Sequence, residues 1–194
     1  MMHRPSNLIK PVTFGFLILV VVIVITGVLS ARGACAHDPR FVCSPRDETH
    51  AVTVPDPGKS WAFYGGLQGT QVDTFKFHVS ATLDVPVSLL VDTRDRSNPA
   101  LPVATISNDL GRPVAQIDFA GASEFYEPFS HLSYLQTKER TLKLQPGSYS
   151  VYIRVRAAAV RQRYTFAMGA AERFSIFEIP YVGGAILRIR SQDY

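Results

Sequence analysis

The stretch Tyr149-Ser150-Val151-Tyr152-Ile153-Arg154-Val155-Arg156 alternates without a break. Tyr149, Val151, Ile153 and Val155 share one face, and polar or charged residues mostly take the other. Successive side chains of a strand point to opposite sides, so this period of two predicts a half-buried β-strand. Pro146-Gly147 supplies a turn just before it. A second run, Arg163 to Met168, alternates with Tyr164, Phe166 and Met168 together. The two read as a hairpin across Ala157 to Gln162.

The pattern repeats towards the N-terminus. Phe75, Phe77 and Val79 alternate with polar residues, Val85 to Val91 is an apolar β-run, and Pro102–Ser107 and Val114–Phe119 are parted by a turn-like Asn108–Pro113. A short strand is expected at Ala51 to Val54. Many short strands at this spacing imply an all-β, antiparallel β-sandwich, jelly-roll-like, and no βαβ alternation points to a nucleotide fold. Near the end the period changes. Val182, Ala185, Ile186 and Ile189 recur at helical spacing, with Pro180 suited to a first turn and Ser175 to a cap. A short helical segment is expected there.

Residues 12–29, VTFGFLILVVVIVITGVL, carry no charge and just reach the length of a bilayer-spanning helix. The competing reading is a signal peptide cleaved after Ala34-Cys35-Ala36, but a secretory apolar region is shorter. The expected division is a tail and transmembrane helix at 1–31, a Pro-rich stalk at 32–59, and a domain at 60–194. Up to Arg46 the chain carries five Lys/Arg against Asp38 alone; from Asp47 onwards 15 basic residues meet 15 acidic ones. The domain is neutral and offers no electrostatic footprint for nucleic acid. A small basic tail and a long domain favour the domain on the periplasmic or extracellular side. Cys35 and Cys43, the two cysteines of the chain, can close a small loop in an oxidising compartment; the alternative is two free thiols.

No G-x-S-x-G, H-E-x-x-H, P-loop or G-x-G-x-x-G is present, and the histidines at 3, 37, 50, 78 and 131 lack ligand spacing. No catalytic residue, cofactor or metal is expected. The Asp92–Asn98 loop is rich in oxygen donors, yet Arg94 and Arg96 make it a salt-bridged loop rather than a calcium site. Two clusters are candidate interfaces. Arg154, Arg156, Arg161 and Arg163 would gather at the tip of the expected hairpin, beside Tyr152, where they suit carboxylates, phosphates or lipid head groups; the alternative is a solvated face with local acidic partners such as Glu139 or Glu172. Phe125, Tyr126 and Phe129 either anchor an interface or plug one end of the sandwich. Trp61, Phe63 and Tyr64 read as core.

Gln71 to Phe77, with Asp73 in its D-x-(Y/F)-x-F strand, Leu144 to Tyr152 with its Pro-Gly-Ser-Tyr turn, and Tyr164-Thr165-Phe166 resemble bacterial pre-peptidase C-terminal domains. Those are β-sandwiches, appended to secreted enzymes or standing alone. The elements Phe125–Phe129 and Gly169–Ser175 and the basic tail are also similar to prokaryotic membrane-anchored proteins. The resemblance implies architecture. Calcium-binding acidic clusters of some collagen-binding relatives have no counterpart here. The expected role is a non-catalytic module held at the membrane lipid, an accessory subunit of a larger membrane complex of respiratory or photosynthetic type. The alternative is an extracytoplasmic domain that binds peptide, glycan or anionic lipid.

Overall fold

A computed structural model describes residues 37–43, 46–95, 100–127, 130–155, 158–173 and 179–194. The expected membrane span at 12–29, Cys35, Arg156, Phe129 and Ser175 lie outside them. Among the described residues, no helix is long and apolar enough to cross a membrane.

Among the described residues twelve strands form two packed sheets. They are β1 (Asp38–Phe41), β2 (Val52–Thr53), β3 (Trp61–Gly69), β4 (Val72–Val79), β5 (Leu83–Asp92) and β6 (Val103–Asn108), then β7 (Pro113–Ile117), β8 (Ser123–Glu127), β9 (Leu132–Gln136), β10 (Arg140–Leu144), β11 (Gly147–Arg154) and β12 (Ala158–Met168). A helix, α1, follows at Ile179–Ser191. The first sheet runs β1-β3-β12-β5-β9-β8, with β10 also on β5; the second runs β2-β4-β11-β6-β7.

Eight of these strands form a jelly-roll frame, β3-β12-β5-β10 facing β4-β11-β6-β7. The expected sandwich is therefore present, but its pairing is mixed. β1 runs parallel to β3 and β2 parallel to β4, each on a sheet edge. Both lie in the stretch read as a stalk, β2 within the short strand expected at Ala51 to Val54.

The expected hairpin of β11 and β12 is not formed. β11 pairs with β4 and β6, whereas β12 pairs with β3 and β5 in the opposite sheet. Alternation reports which face a strand buries, not which strand lies beside it. Val151 and Ile153 meet Phe166 and Met168 across one core. Its centre is aromatic, with Phe63 and Phe75 rings 5.0 Å apart and Phe75 and Phe166 rings 5.4 Å apart. Each such ring withdrawn from water is worth about 1.5–3 kcal/mol.

A polar pin crosses that core. The Tyr164 hydroxyl on β12 donates to Asp73 Oδ2 on β4 at 2.6 Å, and the Arg46 backbone N–H donates to Asp73 Oδ1 at 2.6 Å. A Cβ at Gly65 would lie 2.6 Å from the Tyr164 hydroxyl, so only glycine leaves room for it there.

The first sheet is also buried on its outer side. β12 is buried at every position from Tyr164 to Met168, because a second apolar layer covers it. Ala62 and Tyr64 cluster with Ile189 of α1, and Leu90, Tyr134 and Ala167 form a neighbouring cluster. As the helical spacing predicted, α1 buries Ala185 and Ile189. Arg188 and Arg190 lie in its last turn, where they complement the helix dipole.

Candidate functional site

The additions to the first sheet of the frame converge on its outer face. These are β1, the β8–β9 hairpin and α1, and between them lies a recess of about 400 Å³. Its floor follows from the strand register. Tyr64, Thr165, Leu90 and Gln136 stand side by side across β3, β12, β5 and β9. Ala62, Ala167 and Ser88 form the next rung. Small residues at Ala62 and Ala167 leave the space that Ile186 and Ile189 roof on one side and Phe125 bounds on the other.

α1 is held over this face by its C-terminal turn. Arg94 Nη1 donates to the Arg190 carbonyl at 3.1 Å, and Arg163 Nε donates to the Gln192 carbonyl at 3.2 Å. Arg190 Nε donates to the Ser130 carbonyl at 2.7 Å. The Arg188 guanidinium lies 4.2 Å from the centre of the Phe41 ring, and the Tyr194 ring stacks edge-on against Tyr64 at 5.5 Å. Orphan carbonyls at the helix end thus find donors on the sheet.

The polar groups of the recess come from distant parts of the chain. His37, Glu127, Glu139 and Glu172 all line it. Burial lowers the His37 imidazole below its ordinary value, and the carboxylates of Glu127, Glu172 and Glu139 pull it back up. His37 Nδ1 lies 2.6 Å from Ser60 Oγ. Burial also pushes the Tyr134 hydroxyl up to about 12. Among the described residues no Lys or Arg lines the recess.

A serine beside a histidine raises the question of a nucleophile. An acyl transfer site also needs N–H groups aimed at a developing oxyanion. Here the backbone N–H groups of Ser60, Gly169, Ala170 and Ala171 are all donated within the fold, at 2.9–3.2 Å. Ser60 Oγ therefore has no oxyanion hole made by these groups.

The residues expected to form interfaces are dispersed. Arg154 ends β11 in the second sheet and points away from the core, whereas Arg161 and Arg163 stand on β12 in the first. The strands that carry them belong to opposite layers. Arg161 lies across Gly66, and Arg163 faces Asp95 at 3.5 Å. Phe125 and Tyr126 lie on the edge strand β8, 37% and 55% exposed, and neither plugs the sandwich. Phe125 borders the recess; the Tyr126 hydroxyl meets His131 Nδ1 at 2.8 Å. Cys43 is exposed.

Arg94 Nε donates to both carboxylate oxygens of Asp92, at 3.0 and 2.9 Å, which is the salt bridge expected of that loop. His78 is exposed, 3.3 Å from Ser148 Oγ. Among the described residues no three His, Cys, Asp or Glu side chains gather as a metal site. Sequence reasoning missed His37, Glu139 and Glu172. Glu172 falls in the Gly169–Ser175 element, which pointed to no site, and only the fold brings the three together.

No family model and no curated protein matches the chain. Solved structures do. A pre-peptidase C-terminal domain of a collagenase from Bacillus anthracis is 13% identical, covering 64% of this chain and 97% of that one, with a TM-score of 0.41. The periplasmic g-type lysozyme inhibitor PliG of Aeromonas hydrophila is 12% identical over 68% of this chain and 97% of its own, at 0.35. A family 35 carbohydrate-binding module from an environmental isolate is 8% identical over 55% and 74%, at 0.33. The sandwich itself rests on the strand pairing above.

Proposed function

We propose that this chain is a non-catalytic binding module, held at the membrane by residues 12–29, that seats part of a partner in the recess under α1. The observation that carries the reading is convergence. The elements added to the jelly-roll frame on the first sheet all wall the same cavity. A frame needs none of them to close its core, which lies on the sheet's other side. An apolar cavity with a few polar groups is the usual form of a binding site.

The uncharged run at 12–29 supports an anchor with the domain on the extracytoplasmic side, and the neutral domain fits a protein partner in a membrane complex. An anionic ligand is disfavoured here, since the recess carries carboxylates and the arginines stand apart.

The test compares wild type with Phe125→Ala and Ala167→Leu, purified as the full chain from membranes by mild extraction. A co-migrating protein is expected with wild type and lost with both variants, while their unfolding midpoints stay close to wild type for Phe125→Ala. A partner retained by both variants, or a wild-type chain that migrates alone, refutes the reading.

A further inference from the structure

We infer that the occupant of the recess is a lysine or arginine side chain presented by a partner protein, an inference that rests on the recess being the seat proposed above. Three observations point to a cation on an apolar stem.

The first is charge. Glu127, Glu139 and Glu172 line the recess, and among the described residues no Lys or Arg does. All three carboxylates lie near enough to His37 to act on its imidazole. Burial lowers the affinity of His37 for a proton, which leaves the imidazole unable to neutralise them at pH 7. Glu127 Oε2 accepts the Ser130 backbone N–H at 2.6 Å. Neither Glu139 nor Glu172 has an ion-pair partner among the described residues. The neighbouring cations are otherwise engaged. Lys59 meets Asp38 at 2.7 Å, Arg94 pairs with Asp92, and Arg190 bonds the Ser130 carbonyl. The site remains net negative.

The second is an unsatisfied acceptor. Ser130 is one of the residues around the recess and only 1% exposed, and its buried Oγ makes no hydrogen bond of good geometry. It lies close enough to the Tyr134 hydroxyl to ease its ionisation slightly. A buried hydroxyl without a partner is uncommon. An ammonium carries three donors and no acceptor, so it suits a hydroxyl oxygen beside carboxylates.

The third is shape and position. The floor of Ala62, Leu90 and Ala167 is apolar, and a lysine or arginine stem lies along such a surface with its charge at the polar end. The recess opens beside β8, the last strand of the sheet among the described residues, whose edge and exposed Phe125 give a partner protein a surface to rest on. A free amine would need no such rim.

The test uses the full chain in phosphatidylcholine nanodiscs, with the methyl NMR shifts of Ala167 and Ile189 as readout. The probes are n-butylammonium (the lysine side chain without its backbone), n-butanol, butyrate and the peptide acetyl-Gly-Lys-Gly-amide. Butylammonium and the peptide are expected to bind at least tenfold more tightly than butanol, and butyrate more weakly than butanol. Glu139→Gln with Glu172→Gln should erase the preference for the cation while butanol binding persists. Equal binding of butanol and butylammonium, or an unchanged preference in the double variant, overturns the cationic ligand and leaves the recess as a seat. Binding of butylammonium without the peptide overturns the protein side chain as its source. Absence of any shift with every probe overturns the recess as well.

Discussion

Tyr164→Phe removes one oxygen from the middle of the sandwich, and its cost follows from the geometry. The hydroxyl is buried and donates at 2.6 Å to Asp73, itself 1% exposed. Without it Oδ2 loses a charge-assisted donor and no water replaces it in a sealed core. Such a loss costs about 2–3 kcal/mol, with the oxygen-sized void adding little. For a domain of this size the melting temperature should fall by about 5–10 °C. The effect should depend on pH. Burial raises the Asp73 carboxyl above its ordinary value, and the bonds from Tyr164 and Arg46 only partly offset it. The folded state therefore holds the proton more tightly than the unfolded one. The stability this gives is complete below the unfolded value near 3.8 and is lost as pH rises through the raised folded value. In Tyr164→Phe the carboxyl rises further, so the penalty should be largest at pH 7 and smaller at pH 4.5. Urea unfolding followed by Trp61, the sole tryptophan and a buried one, measures both. Gly65→Ala should dislodge the same hydroxyl and add little to Tyr164→Phe in the double variant. A loss below about 0.5 kcal/mol at pH 7, or one equal at both pH values, would refute the pin.

Gly169→Ala should destabilise by at least about 2 kcal/mol in the same assay. The residue has φ +79°, and a Cβ there would lie 2.0 Å from the Lys59 carbonyl oxygen. Arg163→Ala removes the donor to the Gln192 carbonyl and the partner of Asp95; amide exchange in α1 should quicken several-fold while β11 stays protected. Acid should loosen the same helix. Burial pushes Asp92 up, but bonds from Arg94 and Gln192 together bring it below its ordinary value. That stability is present above pH 4 and lost as pH falls through the lowered value, so α1 exchange should accelerate below pH 4 and Asp92→Asn should flatten the response.

The residues of the chain determined a good deal without help from the fold. Strict alternation at Phe75–Val79, Tyr149–Val155 and Tyr164–Met168 marked strands whose bulky faces had to be buried, and two such layers make a sandwich. Spacing from Pro180 to Ile189 marked the one helix described. What alternation leaves open is the neighbour. β11 and β12 looked like partners and instead face each other, since burying a face is satisfied equally by either arrangement. β1 was hidden in Pro-rich sequence because a four-residue parallel edge carries almost no pattern. The β8–β9 hairpin was hidden too, as it buries few side chains. The recess was beyond reach for a stronger reason. His37, Glu127, Glu139 and Glu172 have no common spacing, and a cavity is a property of the gap between elements, set by how β1, β8–β9 and α1 come to rest on a sheet already closed on its other side.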